Sequence, residues 1–158
     1  MKRQQHAVVT TRFGLLEPDA EHTLSFPWGL PGLEDCREFV LLEPKSSRPL
    51  CWLQSLERPD VALPCLEPWT LKPDYEVLLS TADSAALQLT DALDAAVLVV
   101  LNLSRPVGQR TVNLGAPIVI NVSKRIGRQV LMDRSSYGLR EPLARLLGDQ
   151  VAPAAEVP

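Results

Sequence analysis

Histidine and cysteine side chains supply most nucleophilic and metal-binding chemistry, and both are scarce in this sequence. The two histidines are His6 and His22, and the three cysteines are Cys36, Cys51 and Cys65. A catalytic triad needs a base beside its nucleophile, and zinc sites need ligands at short spacing. Neither pattern is present, so the sequence predicts no catalytic histidine, no metal site, and reduced cysteines that act as small core or edge hydrophobic residues.

Carboxylates close together in the sequence are the next candidates for chemistry. Glu34 adjoins Asp35, and Asp74 lies two residues before Glu76. Such a pair acts as general acid and base only where burial separates the two pKa values, so solvated surface charge is the simpler interpretation. The glycine-rich phosphate loops G-x-G-x-x-G and G-x-x-x-x-G-K-[ST] are absent. We therefore predict no cofactor and no enzymatic activity.

Three cations within five residues, Lys124, Arg125 and Arg128, could grip a phosphate backbone. Single-strand binders add stacking aromatics between such charges, and none is interleaved here. The cluster is interpreted as the solvated tip of a hairpin, without direct contact to nucleic acid.

Charge is segregated along the chain. Residues 13–100 hold fifteen acidic and five basic side chains, whereas residues 101–145 hold two acidic and eight basic ones. Segregated charge steers charged partners more than it specifies a fold. The sequence thus favours a protein that binds other proteins.

Short β-branched and apolar runs separated by proline or glycine predict the elements that carry these residues. The predicted strands cover residues 7–11, 39–42, 50–56, 61–66, 97–103, 118–122 and 129–132. Fourteen prolines leave little room for long helices. We expect an all-β, mainly antiparallel, compact barrel-like single domain with one or two short helices.

The helices and the domain boundary follow from local signals. Residues 82–89 are predicted to be helical with Asp83 or Ser84 as cap, and residues 142–147 carry leucines at helical spacing. Residues 123–128 are predicted to link a β-hairpin. The expected organisation is a barrel domain over residues 1–142 and a short helical or disordered tail over residues 143–158.

A rigid turn with the sequence F-P-W-G-L-P-G occupies residues 26–32. Proline fixes φ and glycine admits positive φ, so we expect positive φ at Gly32. This turn resembles the signature of the FliW family, the bacterial flagellar assembly factors. Further collinear resemblance covers about residues 11–142, at T-R-F-G, F-V-L-L, W-L-Q-S, P-D-V-A, P-D-Y-E, A-P-I-V-I-N and Y-G-L-R-E-P.

The resemblance implies a β-barrel protein that binds cytoplasmic flagellin and the RNA-binding translational repressor CsrA. It implies that the protein, freed when flagellin is exported, captures CsrA and relieves repression of flagellin mRNA. Pro117 and Asn121, within the A-P-I-V-I-N match, are included among the expected partner-binding residues.

The remaining expected partner-binding residues are Asp74, Tyr75 and Glu76, an aromatic between two carboxylates after a proline. Aromatics dominate interface hot spots, and nearby charges tune association with a basic partner. The alternative is an ordinary strand entry with Tyr75 packed in the core.

Two other functions stay open from the sequence: a small β-barrel that binds nucleic acid, and an enzyme with an unrecognised carboxylate site. The N-terminal residues are too polar for a signal peptide, and no apolar run approaches the roughly 20 residues of a membrane span. We therefore expect a cytoplasmic protein without membrane contact.

Overall fold

The computed structural model describes residues 7–148 and contains eleven strands and two short α-helices among them. The strands are β1 (Val8–Thr10), β2 (Gly14–Leu16), β3 (Thr23–Ser25), β4 (Glu38–Leu42), β5 (Cys51–Ser55), β6 (Ala62–Leu66), β7 (Ala95–Asn102), β8 (Thr111–Val112), β9 (Ile118–Asn121), β10 (Ile126–Gln129) and β11 (Glu141–Pro142). The helices are α1 (Thr81–Ala86) and α2 (Leu143–Gly148).

Seven of these strands close into a barrel. The order around it is β7, β6, β5, β4, β3, β10 and β9, and β9 returns to pair with β7. All of these pairings are antiparallel except that of β10 with β3, where Ile126 lies opposite Ser25. The prediction of a mainly antiparallel, barrel-like fold with two short helices is confirmed, with this one parallel pairing in addition.

The inside of the barrel is the first of two apolar cores. Alternate residues of the strands point inward, as the period of two requires. Phe26 and Phe39 pack edge to face there, with ring centroids 5.1 Å apart. A Cβ on Gly127 would lie 2.4 Å from the Phe26 ring, so only glycine lets β10 approach that ring. The other buried residues of this core are Leu30, Cys36, Cys51, Leu53, Cys65, Leu98, Ile118 and Ile120.

The second core lies on the outer face of β7 and β9. The segment between β6 and β7 crosses that face and contributes Leu71, Tyr75 and Leu87. These side chains pack against outward-facing residues that follow the same alternation along the strands. The strand and loop residues of this core are Leu66, Val97, Val99, Leu101, Val112, Leu114, Val119, Val130 and Met132.

The three cysteines are buried and free, as predicted. Cys51 and Cys65 lie opposite each other on β5 and β6. Burial raises the pKa of Cys51 to about 11 and also raises that of Cys65, because the thiolate is poorly solvated there. These thiols are core residues that resist ionisation.

The predicted hairpin forms, but its second strand begins earlier than expected. β10 covers Ile126–Gln129, so the link after β9 is the four-residue turn 122–125 in place of residues 123–128. Arg125 has φ 54° in this turn, and Asn121 Oδ1 accepts the Lys124 N–H at 3.3 Å. The tight turn depends on a non-glycine residue in the left-handed region, which turn propensities disfavour.

The first helix also differs at its start. Ser80, rather than Asp83 or Ser84, is its N-cap, and its hydroxyl accepts the Asp83 N–H. A cap needs extended backbone before the first turn, and Ser80 supplies it with ψ 159°. α2 lies within the predicted tail; residues 149–158 of that tail lie outside the described residues, as do residues 1–6 with His6. No helix within residues 7–148 has the length and apolar character needed to span a membrane.

Candidate functional site

The sequence-predicted acidic site is a turn, residues 73–76, on the segment that covers the second core. A short helical turn at Pro68–Thr70 precedes it, and buried Leu71 fixes the chain to the core. Trp69 Nε1–H donates to the Tyr75 carbonyl at 3.0 Å, which closes the turn. The turn is thus held by the Trp69 side chain and by buried Leu71.

Tyr75 is buried, with 4% of its surface exposed, so the expectation of an exposed ring there is wrong. Its hydroxyl donates to the Leu114 carbonyl at 2.6 Å, and burial raises its pKa. The ring faces inward because the second core needs a large side chain at this point and Leu114 offers a buried acceptor. The alternative interpretation, a core tyrosine, describes its position.

Asp74 and Glu76 remain on the surface on either side of the buried tyrosine. The Asp74 side chain is 80% exposed and pairs with Lys72 at 3.2 Å. This hydrogen bond raises the pKa of Lys72. The turn therefore presents two carboxylates to solvent, one of which is partly neutralised by its own chain.

Tyr137 positions the acidic turn and was missed by the sequence analysis as a site residue. Its ring stacks on Tyr75, with centroids 4.7 Å apart and planes 25° apart. Its hydroxyl oxygen accepts the backbone N–H of Glu76 at 3.0 Å. Glu76 and Tyr137 are 61 positions apart, so no local sequence signal joins them.

Pro117 and Asn121 do not lie on an accessible surface. Both are buried, and Asn121 is 2% exposed. The Asn121 amide donates to the carbonyls of Leu87 at 2.8 Å and Gln88 at 3.1 Å, where the chain leaves α1. Gln88 has φ 55°, so this amide stabilises a left-handed helix end. The Pro117 carbonyl accepts the Val130 N–H at 2.8 Å, so both residues make contacts within the fold.

The arginines of the basic hairpin tip contact the rest of the chain more than the sequence suggested. Arg125 donates to the Ala20 carbonyl at 2.5 Å. Arg128 lies 4.6 Å from the centre of the Trp28 ring and 3.5 Å from an Asp83 carboxylate oxygen. Of the three cations, only Lys124 is exposed. Little positive charge at this tip is therefore available to bind phosphate groups.

The other residues considered for catalysis or metal binding do not converge. His22 bonds Asp19, and this bond lowers the Asp19 pKa. Glu34 accepts the Gly32 N–H at 3.1 Å within its own turn. Among residues 7–148 no three metal-ligating side chains lie together.

A shallow cavity opens at one end of the barrel. Leu24, Leu41 and Ile120 are among the apolar residues that line it, with Glu21 and Arg125 as its charged lining residues. Acid–base catalysis by carboxylates uses two of them, and this cavity has one. Its lining resembles the end layer of a packed barrel more than a catalytic pocket.

Comparison with known proteins decides the family. The family model described as FliW protein matches residues 7–143, nearly the whole described chain. The chain belongs to the FliW family. The FliW-family protein of Caldicellulosiruptor saccharolyticus, named flagellar assembly factor FliW, is 40% identical over 148 residues, covering 93% of this chain and 97% of its own.

Other FliW-family proteins agree. The flagellar assembly factor FliW of Bdellovibrio bacteriovorus is 36% identical over 144 residues, 91% of this chain and 82% of its own. A crystal structure of the flagellar assembly factor FliW superposes with a TM-score of 0.81 at 33% identity, covering 87% of this chain and 96% of that one. The resemblance inferred from the sequence is confirmed. FliW-family assembly factors are not enzymes, which confirms that prediction as well.

Proposed function

We propose that this FliW-family protein is a cytoplasmic regulator that binds flagellin and the translational repressor CsrA. When flagellin leaves, the freed protein captures CsrA and relieves repression of flagellin mRNA. The observation that carries the proposal is family membership over residues 7–143, together with relatives named flagellar assembly factors. A protein of this kind acts by stoichiometric binding, which requires surfaces and no catalytic group.

The acidic turn is the surface we propose for CsrA. An RNA-binding repressor is basic, and Asp74 and Glu76 present carboxylates on a turn that Trp69 and Tyr137 hold in place. A fixed turn loses little conformational freedom on binding, which favours association. Tyr75 is assigned a positioning role, because its ring supports the turn from below.

Charge reversal at this turn tests both the partner and the site. The double variant Asp74→Lys, Glu76→Lys is expected to slow association with CsrA by about tenfold at low salt, because steering by complementary charge is lost. The difference should shrink at high salt, where exposed charges are screened. Stopped-flow or surface plasmon resonance measurements over a salt series would give the rates.

A matched control makes the same change of net charge elsewhere. Glu17 and Glu43 are exposed, and Glu17→Lys with Glu43→Lys should leave the association rate close to that of the wild type. If both double variants slow association equally, general charge acts and the turn is not the site. If CsrA binds the first variant as fast as the wild type at low salt, the turn is excluded.

A further inference from the structure

The chain contains three tryptophans, and two of them carry an arginine of the same chain on the ring. The guanidinium carbon of Arg12 lies 4.4 Å from the centre of the Trp52 ring, and that of Arg128 lies 4.6 Å from the centre of the Trp28 ring. Aromatic faces attract cations, and tryptophan attracts them most strongly. In the described part of the chain, no arginine or lysine lies over the third tryptophan, Trp69.

The Trp69 ring is exposed beside the acidic turn. Trp69 is 41% exposed, and its T-shaped contact with Tyr75 covers at most one face of the indole. The indole N–H donates to the Tyr75 carbonyl at 3.0 Å, so the ring touches the residue that lies between Asp74 and Glu76. An open aromatic face therefore lies next to two exposed carboxylates.

Arg128 shows what such an arrangement holds. Its guanidinium lies over the exposed ring of Trp28, and its Nε lies 3.5 Å from an Asp83 carboxylate oxygen. A guanidinium fits these two groups because it is planar, stacks on an aromatic face and donates hydrogen bonds to a carboxylate from its edge. Trp69 and the acidic turn offer the same two groups, a ring face and neighbouring carboxylates, without the arginine.

Lys72, the cation nearest in sequence, is placed elsewhere. Its ammonium pairs with Asp74 at 3.2 Å and lies 5.9 Å from the centre of the Tyr137 ring. The Asp74 side chain nevertheless stays 80% exposed, and Glu76 forms no ion pair with another described residue. The turn thus keeps carboxylate oxygens available to a cation from outside the chain.

We propose that Trp69 and the acidic turn together bind an arginine side chain of CsrA, with its guanidinium stacked on the indole and paired with Asp74 or Glu76. The proposal rests on the proposed function, which supplies CsrA as the partner at this turn. A protein that binds RNA carries arginine and lysine to contact phosphates, so such a side chain belongs to its chemistry. Trp69 then takes the anchoring role that the sequence analysis gave to Tyr75, since tryptophan and arginine are both enriched in interface hot spots.

Two substitutions at Trp69 separate the ring face from the hydrogen bond that closes the turn. Trp69→Phe and Trp69→Leu both lose the indole N–H, and only Trp69→Phe keeps an aromatic face. Isothermal titration with purified cognate CsrA should show about fivefold weaker affinity for Trp69→Leu than for Trp69→Phe. Trp28→Leu is the matched control and should bind CsrA as the wild type does, because Arg128 already covers that ring. Thermal unfolding reports whether each variant is folded.

An NMR measurement on the wild-type chain decides the matter even if a Trp69 variant does not fold. When the bound CsrA is isotope-labelled only at its arginines, nuclear Overhauser contacts should join arginine side-chain protons to the Trp69 ring. Wild-type protein that binds no CsrA overturns the proposed function, and the Trp69 assignment with it. CsrA binding without these contacts, or with equal affinities for Trp69→Phe and Trp69→Leu, overturns the Trp69 assignment alone. A loss of affinity in Trp28→Leu as large as that in Trp69→Leu also overturns it.

Discussion

Gly29→Ala is expected to destabilise the protein by about 3 kcal/mol. Gly29 has φ 63°, a region that costs an L-residue about 1 kcal/mol or more. A Cβ at this position would also lie 2.6 Å from Glu34 Cα and 2.8 Å from the Leu33 carbonyl oxygen. Both contacts are backbone and cannot rotate away, so the turn must distort. Urea denaturation followed by circular dichroism would measure the loss.

Gly32→Ala is the matched control, because Gly32 has φ 81° and open space around its missing Cβ. This variant should lose only the stability that positive φ costs an alanine, about 1 kcal/mol. The sequence analysis predicted positive φ at Gly32, and this is confirmed. If Gly29→Ala and Gly32→Ala lose the same unfolding free energy, the chain must avoid the close contacts at Gly29 without a cost in stability. That result would contradict the packing described for this turn.

Tyr75→Ala is expected to have the largest effect among the residues first considered for partner binding, about 3–5 kcal/mol of stability. The substitution empties a buried site and removes the stack on Tyr137. Tyr75→Phe keeps the ring and removes only the donor to the Leu114 carbonyl, with an expected loss of about 1–2 kcal/mol. Thermal and urea unfolding of both variants would test these values.

A larger loss of stability for Tyr75→Ala than for Tyr75→Phe would assign Tyr75 to the core. A Tyr75→Ala variant as stable as the wild type but unable to bind CsrA would contradict the core position and restore the ring as a direct anchor. Tyr137→Phe, which keeps the stack but cannot accept the Glu76 N–H, is the useful companion for the positioning role.

Much of the barrel was predictable because its strands alternate or are continuously apolar. β5 and β7 show this, and both form within one or two residues of the predicted ranges. β3, β8 and β11, each two or three residues long, carry too little pattern to detect. The start of β10 was misplaced, since residues 126–128, which include Gly127 and Arg128, fit a loop by composition while pairing with β9 makes them part of the strand.

The site was less predictable than the fold. The sequence located the acidic turn, and its carboxylates are exposed, but burial of Tyr75 depends on Leu114, 39 residues away. The sequence analysis also selected Asn121, yet its amide donates hydrogen bonds to the carbonyls that follow α1. Long-range contacts of this kind decide whether a polar or aromatic residue faces a partner or the core, and one sequence does not encode them locally.

The most direct test of the proposed function is size-exclusion chromatography with light scattering of the purified full-length chain mixed separately with cognate flagellin and cognate CsrA. The account predicts a new peak with each partner, whose mass equals that of a heteromeric complex. When target RNA is added to the second mixture, release of CsrA from that RNA should accompany formation of the second complex. The account would be contradicted if the chain and its partner eluted separately in either mixture at concentrations of tens of micromolar.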